Sequence, residues 1–203
     1  MKTYLEILED YKVLETNRLI LRPVTFDDAP DMFEYASDER TVKYLTFAPH
    51  SSLGETKQAI DNFFINKPEV YGRGLYGIVL KETSKFIGAI DIRPDDQNKK
   101  ASFGYVLNKN YWNNGYMTEA LKCIMKVCFD ILKVNRIEST HYEGNEASGK
   151  VMQKCGMKYE GKGTEELYIK GEFVNVLHYA ILEREYTKLD NKTTNIDSEK
   201  CSY

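Results

Sequence analysis

Between Met117 and Leu132 the apolar residues recur at i, i+3 and i+4. Met117, Ala120, Leu121, Ile124, Met125, Cys128, Ile131 and Leu132 form one stripe, and Glu119, Lys122, Lys126 and Asp130 lie opposite. This spacing predicts an amphipathic helix with one buried and one solvated face. Elsewhere the pattern is shorter. Residues 16–24 (TNRLILRPV) read as a strand, and Thr25 with Asp28 makes a T-x-x-D capping box ahead of a helix carrying Pro30, Met32 and Phe33. Ala59, Ile60, Phe63 and Phe64 predict a further helix, capped by Ser51 or Ser52 and stopped by Pro68. Leu75–Leu80, Phe86–Arg93 and Ala101–Leu107 are β-rich runs joined by polar turns, which predicts an antiparallel meander. After the long helix, Asn135–Tyr142 reads as a strand. Asn145 opens a helix that closes at Gly156, and Tyr159–Ile169 and Glu172–Leu182 form a hairpin turning at Lys170-Gly171.

The order β-α-α-β-β-β-α-β-α-β-β gives an α/β (α+β) fold with a mixed, mostly antiparallel sheet. One parallel crossover is expected, from Ala101–Leu107 through the long helix to Arg136–Tyr142. Residues 16–183 form the domain. Residues 1–15 form a leader whose Tyr4, Leu5, Leu8 and Tyr11 suit a helix packed on that domain or on a second copy in a homodimer. Residues 184–203 read as a polar, disordered tail.

Composition narrows the classes. A chain of 203 residues with 42% hydrophobic content suits one core. With 28 Lys and Arg against 31 Asp and Glu, the net charge of −3 leaves no basic footprint for nucleic acid. No apolar run approaches the ~18–20 residues that span a bilayer, and the expected compartment is the cytoplasm. Cys123, Cys128, Cys155 and Cys201 form no C-x-x-C pair and read as free thiols, three of them within apolar helical patterns. His50, His141 and His178 stand apart, so no metal site is expected.

The chemistry concentrates in 104–121, a strand running through an Asn/Gly-rich turn into the amphipathic helix. The unpaired N–H groups and positive dipole end of a helix start favour phosphate, and Gly115 lets it approach closely. Trp112, Asn113, Asn114, Gly115, Tyr116, Met117 and Thr118 are therefore the candidate anion-binding residues. Neither G-x-x-x-x-G-K-[ST] nor G-x-G-x-x-G is present. The segment resembles the acetyl-CoA-binding motif of the GNAT acetyltransferases, most closely the branch of ribosomal-protein N-terminal acetyltransferases with the phrase G-Y-x-L-x-x-x-Y-W-G-K-G-Y-A-T-E-A. Gly104, Tyr105, Leu107, Tyr111, Trp112, Gly115, Tyr116, Thr118, Glu119 and Ala120 match, whereas Asn113, Asn114 and Met117 replace Gly, Lys and Ala. Residues 145–157 are similar to the family's N-x-x-S-x-x-x-x-x-K-x-G-F, with Met157 for Phe.

The resemblance implies a GNAT-like fold whose splayed strands, here Ala101–Leu107 and Arg136–Tyr142, grip acetyl-CoA, with the N–H groups of Val106 and Leu107 at the thioester. It implies that Asn145 holds the cofactor arm, although Asn also suits a helix N-cap. The tyrosine that many members use as proton donor falls at Met152, so the role passes to Ser148, a residue that equally suits local backbone bonding. Glu166 is the expected base, with Asp91 and waters near His141 or Tyr105 as further candidates. The implied reaction is acetyl transfer to an amine. An α-amine is roughly 14% neutral at pH 7 and a Lys amine about 0.04%, which points to a protein or peptide N-terminus as acceptor. A small amine (a polyamine, amino acid derivative or antibiotic) is the alternative, and a non-catalytic acyl-CoA-binding module is another. The acceptor pocket is expected from residues 41–52 and the final hairpin.

Overall fold

The computed structural model describes residues 2–66, 74–193 and 201–202. Eight strands form one sheet in the order β1-β2-β3-β4-β5-β6-β8-β7. They are β1 (Leu14–Glu15), β2 (Leu19–Arg22), β3 (Leu75–Leu80), β4 (Phe86–Asp95), β5 (Lys100–Leu107), β6 (Arg136–Tyr142), β7 (Lys158–Ile169) and β8 (Glu172–Leu182). Every neighbouring pair is antiparallel except β5 with β6. The predicted meander is β3-β4-β5. The hairpin turn at Lys170-Gly171 has both residues at positive φ, 52° and 87°, as a tight two-residue turn requires.

Helices cover both faces. On one side α1 (Tyr4–Leu8), α5 (Tyr116–Lys126) and α6 (Glu146–Lys154) close a core built on Leu19, Leu21, Ile78, Ile90, Ile92, Phe103 and Ile137. α5 contributes Leu121, Ile124 and Met125, all essentially buried, and each such side chain is worth about 1.5–3 kcal/mol of transfer free energy. A π-helical turn, Val127–Ile131, extends α5 and keeps Cys128 and Phe129 in this core. On the other side α2 (Ala29–Ala36) and α4 (Leu53–Ile60) bury Met32, Tyr35 and Ile60 against Val79 and Phe86, and the short α3 (Glu39–Val42) lies between them in the chain.

Local signals act as expected. Thr25 and Asp28 form the capping box, and Arg22 pairs bidentately with Asp28 at 2.7 and 2.8 Å. Ser52 caps α4 by accepting from Glu55 N–H. Gly156 ends α6 at φ 85°. Pro68, expected to stop the helix after Phe64, lies outside the described residues.

Three expectations are corrected. Glu119, assigned to the solvated face of the long helix, is 8% exposed. Its carboxylate accepts from Thr16 Oγ1 at 2.6 Å, Arg18 N at 2.9 Å and Arg18 Nε at 2.7 Å. Part of the tail expected to be disordered is helix α7 (Glu183–Thr193), with Tyr186 stacked on Phe129 at 4.6 Å. Cys123 and Cys201, expected as separate thiols, form a disulfide, and Ser202 bridges to Glu15. The leader helix packs on its own domain, with Leu8 in the core.

Burial pushes the Glu119 carboxyl upward, but its bonds from Thr16 and Arg18 outweigh this and hold it below the usual carboxylate range. A depressed folded-state pKa stabilises above the unfolded value and loses that stabilisation as pH falls through the folded one. Glu119→Gln is therefore expected to cost about 1–3 kcal/mol at pH 7. In denaturant titrations the gap to wild type should narrow below pH about 4.

Candidate active site

β5 and β6 are paired over three rungs only, Lys100↔Arg136, Ala101↔Ile137 and Ser102↔Glu138. One further tie, Ser139 Oγ donating to the Phe103 carbonyl at 2.8 Å, precedes their separation. Beyond it β5 stays on β4 as far as Leu107↔Gly88, and β6 stays on β8 as far as Tyr142↔Val176. The inner edges of the two strands therefore diverge while their outer edges are held. Gly88 permits this close packing, because a Cβ there would stand 2.2 Å from the Val106 carbonyl oxygen and 3.0 Å from Leu107 Cα.

The divergence opens a cavity of ≈ 380 Å³ lined by Gly104, Tyr105 and Val106 of β5, residues 139–142 of β6, Asn145, Ser148, Asp91 and Arg93. Tyr44, Leu45, Thr46, Phe47, Phe64, Leu75, Ala89, Ile90 and Phe103 also line it. Of residues 41–52, the four from Tyr44 to Phe47 line this cavity, and Tyr44 donates to the Gly144 carbonyl at 2.7 Å. The final hairpin does not line it, although Lys170 at the hairpin turn donates to the Val42 carbonyl at 2.9 Å.

Asn145 precedes α6 but makes no capping bond with its side chain, which leaves the amide available at the cavity. Ser148 does not turn back on its own helix. Its Oγ lies 2.9 Å from Tyr105 Oη, and Tyr105 also donates to the Ser148 carbonyl at 3.0 Å. Burial raises the Tyr105 hydroxyl well above the ordinary phenol range, against the opposing effect of the Ser148 bond. Met152, in the position of the family's usual tyrosine, is fully buried in the core.

Glu166 is not brought to the cavity. It lies on β7, exposed, and bonds His178 Nε2 at 2.7 Å. Register shifts between Tyr159 and Gly161 and between Gly163 and Leu167 alter the outward sequence of β7, and no period read from the chain anticipates them. Asp91 does line the cavity. Burial raises its carboxyl against the lowering effect of Arg93, and it accepts from Gly104 N–H at 2.7 Å and Arg93 Nη2 at 2.8 Å. His141 is buried there, with Nδ1 2.9 Å from the Tyr142 carbonyl. A carbonyl only accepts, so the neutral ring carries its proton on Nδ1 and leaves Nε2 as an acceptor. That Nε2 is buried and has no protein partner among the described residues.

The turn before α5 is built from alternating left-handed residues, Asn113 at φ 63° and Gly115 at φ 79°. Asn is among the few side chains that tolerate this region, so Asn113 can replace the resembled Gly without changing the turn. Asn114 braces the turn by donating to the Tyr111 and Trp112 carbonyls, and Trp112 Nε1 donates to the Leu107 carbonyl at 2.7 Å. No side chain caps α5. The N–H groups at Gly115, Tyr116, Met117 and Thr118 therefore open the helix without a capping acceptor, while the Met117 side chain is buried in the core. The cation at this turn comes from a residue that the sequence pattern does not mark. Arg18 on the approach to β2 donates through Nη1 to the Asn114 carbonyl at 3.0 Å and lies 4.5 Å over the Tyr116 ring.

The acetyltransferase (GNAT) domain model matches residues 18–158, which contain both diverging strands, the turn and α6. The chain belongs to the GNAT acetyltransferase family. It is 30% identical to the "Uncharacterized N-acetyltransferase p20" of Bacillus licheniformis over 86% of this chain and 98% of that protein. It is 33% identical to the "Putative ribosomal N-acetyltransferase YdaF" of Bacillus subtilis over 74% of this chain and 82% of that one. Among solved structures, a GNAT-family acetyltransferase from Bacillus anthracis superposes with TM-score 0.75 at 27% identity, covering 85% of this chain and 99% of that one. The spermidine N-acetyltransferase of Vibrio cholerae, solved with CoA and spermine, superposes with TM-score 0.65 at 19% identity over 83% and 98%. This GNAT chain is an N-acetyltransferase, and GNAT enzymes use acetyl-CoA. The open strand edges, the uncapped start of α5 and the uncommitted Asn145 side chain fit such a cofactor. Among the described residues no cluster of His, Cys, Asp and Glu could hold a metal ion, and no helix is long and apolar enough to cross a membrane.

Gly88→Ala tests the cleft wall. Backbone atoms meet the added methyl, so β5 must shift. The variant is expected to lose about 1–3 kcal/mol of stability and to bind CoA more weakly in isothermal titration. Unchanged melting and unchanged affinity would show that the close approach of β5 to β4 is dispensable.

Proposed function

We propose that this GNAT enzyme acetylates the α-amine of a protein or peptide N-terminus. The observation that carries the reading is the charge of the cavity. Among the described lining residues the fixed charges are Asp91 and Arg93, and they are paired with each other at 2.8 Å. A polyamine carries several positive charges and finds no set of unpaired carboxylates among the described lining residues. A single ammonium group needs only one acceptor, and an α-amine is already partly neutral at physiological pH.

In this reading the turn 112–115 and the first N–H groups of α5, through Thr118, hold the cofactor's phosphates. Asn145 and the inner edge of β5 at Val106 and Leu107 hold its arm. Acetyl-CoA supplies the acetyl group as a thioester, activated for attack by a neutral amine. Asp91 holds the acceptor ammonium and takes up its proton, a role that Glu166 is too remote to fill. The Ser148 hydroxyl, hydrogen-bonded to Tyr105, returns a proton on the other side of the sheet.

Ser148→Ala is expected to lower kcat on the order of 10²-fold with little change in the KM for acetyl-CoA. Tyr105→Phe should lower it comparably if the two hydroxyls act as a unit. Full turnover in both variants would remove the pair from the reaction.

The acceptor class has its own readout. With a peptide bearing a free α-amine, kcat/KM should rise with pH at unit slope and level off near pH about 8, where the amine is neutral. Mass spectrometry should place the acetyl group on that amine. A higher kcat/KM for spermidine, rising beyond pH about 10, would overturn the reading.

A further inference from the structure

Asp91 and Arg93 alternate on β4 with Ile90 and Ile92, which belong to the core under α5 and α6. The pair therefore faces the opposite side of the sheet, where α2 and α4 pack. On the neighbouring strand, Gly104 is opposite Asp91. A Cβ at Gly104 would stand 2.4 Å from Arg93 Nη2, so the guanidinium lies across β5 in the space that a side chain would fill. Asp91 fixes both elements through one carboxylate, accepting from Gly104 N–H with Oδ1 and from Arg93 Nη2 with Oδ2. The Arg93 side chain is 57% exposed and makes no other hydrogen bond among the described residues. A guanidinium has five N–H donors in a planar fork, so the group is held by one donor and presents the others to the cavity. Among the described residues, Tyr44, Phe47, Phe64 and Leu75 give this wall aromatic and aliphatic surface, and Thr46 adds an uncharged hydroxyl.

We infer that Arg93 is a specificity residue for the acceptor, and that the preferred acceptor carries a carboxylate or similar anion close to its reactive amine. This deepens the proposed function and rests on its assignment of the Asp91 side of the cavity to the acceptor. Described lining residues that supply one carboxylate and one exposed guanidinium complement a molecule with one ammonium and one anion. For a peptide acceptor, the matching feature is an acidic side chain at the second or third position. Guanidinium–carboxylate contacts are charge-assisted and can be bidentate, which makes them selective against an amide of the same shape.

The test uses matched acceptors that differ only in charge: peptides with Asp or Asn at the second position, peptides with Glu or Gln at the third, and a free amino acid against its amide. In the wild-type enzyme kcat/KM should favour the acidic member of a pair by about tenfold or more. Arg93→Gln should bring that ratio near one, and Arg93→Glu should shift preference to a Lys-containing peptide. Because each result is a ratio within one enzyme, loss of folded protein cancels, and the wild-type preference is read with the Asp91–Arg93 pair intact. Equal rates for acidic and amide acceptors in the wild type, or an unchanged preference in Arg93→Gln, would overturn the inference. If no peptide is acetylated but the free amino acid is preferred to its amide, the proposed peptide acceptor falls and the role of Arg93 stands. If peptides are acetylated without regard to charge, the reverse holds.

Discussion

Two neighbouring parallel strands that separate after three rungs leave backbone N–H and C=O groups without their sheet partners, and an ordinary sheet closes such a gap. Here the gap persists because each strand is secured on its outer side, β5 by β4 and β6 by β8, through the whole stretch where the inner edges diverge. Sealing it would require one of those ladders to break. Side-chain bonds then define its boundaries. Ser139 ties the strands at the point of separation, Tyr105 reaches Ser148 across the opening, and Tyr44 reaches Gly144 above it. The backbone groups so exposed cost free energy unless water or a ligand satisfies them. A site whose polar groups are backbone atoms fixed by two ladders is pre-organised for an extended, amide-containing cofactor arm.

The start of α5 depends on a second long-range restraint. Glu119 is buried one turn into the helix and accepts three bonds from Thr16 and Arg18, which fastens the helix to the strand at the other end of the sheet order. The same bonds aim the Arg18 guanidinium at the Asn114 carbonyl and onto Tyr116. A buried carboxylate with one partner would be a liability; with three donors it is satisfied and rigid. The turn thus keeps a cation nearby although the lysine of the resembled motif is absent. The proposed phosphate site is compatible with a net charge of −3, since oriented N–H groups and one fixed guanidinium give the turn positive character.

What the sequence made legible was local. The helical stripe of α5, the caps at Thr25 and Ser52, the glycine closing α6 and the hairpin turn each depend on residues a few positions apart, and periodicity or side-chain chemistry reveals them. The motif order likewise picked out Asn145 and Ser148, which line the cavity. Features set by distant partners were not legible. Glu119 matches the polar side of the helical wheel and is buried only because residues about 100 positions earlier meet it. Cys123 and Cys201 are 78 residues apart with no spacing signature. Glu166 fits the expectation for a base by position in the chain, but the irregular register of β7 sends it to His178. Arg18 and Gly88 act through close approaches that become visible only when the sheet is assembled.

The division of the sheet into two faces bears on proton movement. Tyr105 packs toward the core shared with α5 and α6, and Ser148 belongs to α6. Asp91 and Arg93 face α2 and α4, on the far side of the same strands. In the proposed reaction an amine loses a proton and a thiolate gains one, and these events fall to groups on opposite faces with the diverging strands between them. A single residue shuttling between both tasks would have to cross the sheet. Two short relays avoid that, and their ordinary acidities need not match: the carboxyl of Asp91, raised by burial, suits proton capture from an ammonium group better than an exposed carboxylate would. The hydroxyl pair is a weaker acid than a thiol, so in this reading it hydrogen-bonds the thiolate as the C–S bond breaks and any proton it gives up is replaced from solvent. The gap between β5 and β6 is then both the cofactor's seat and the passage through which the two faces act on one bond.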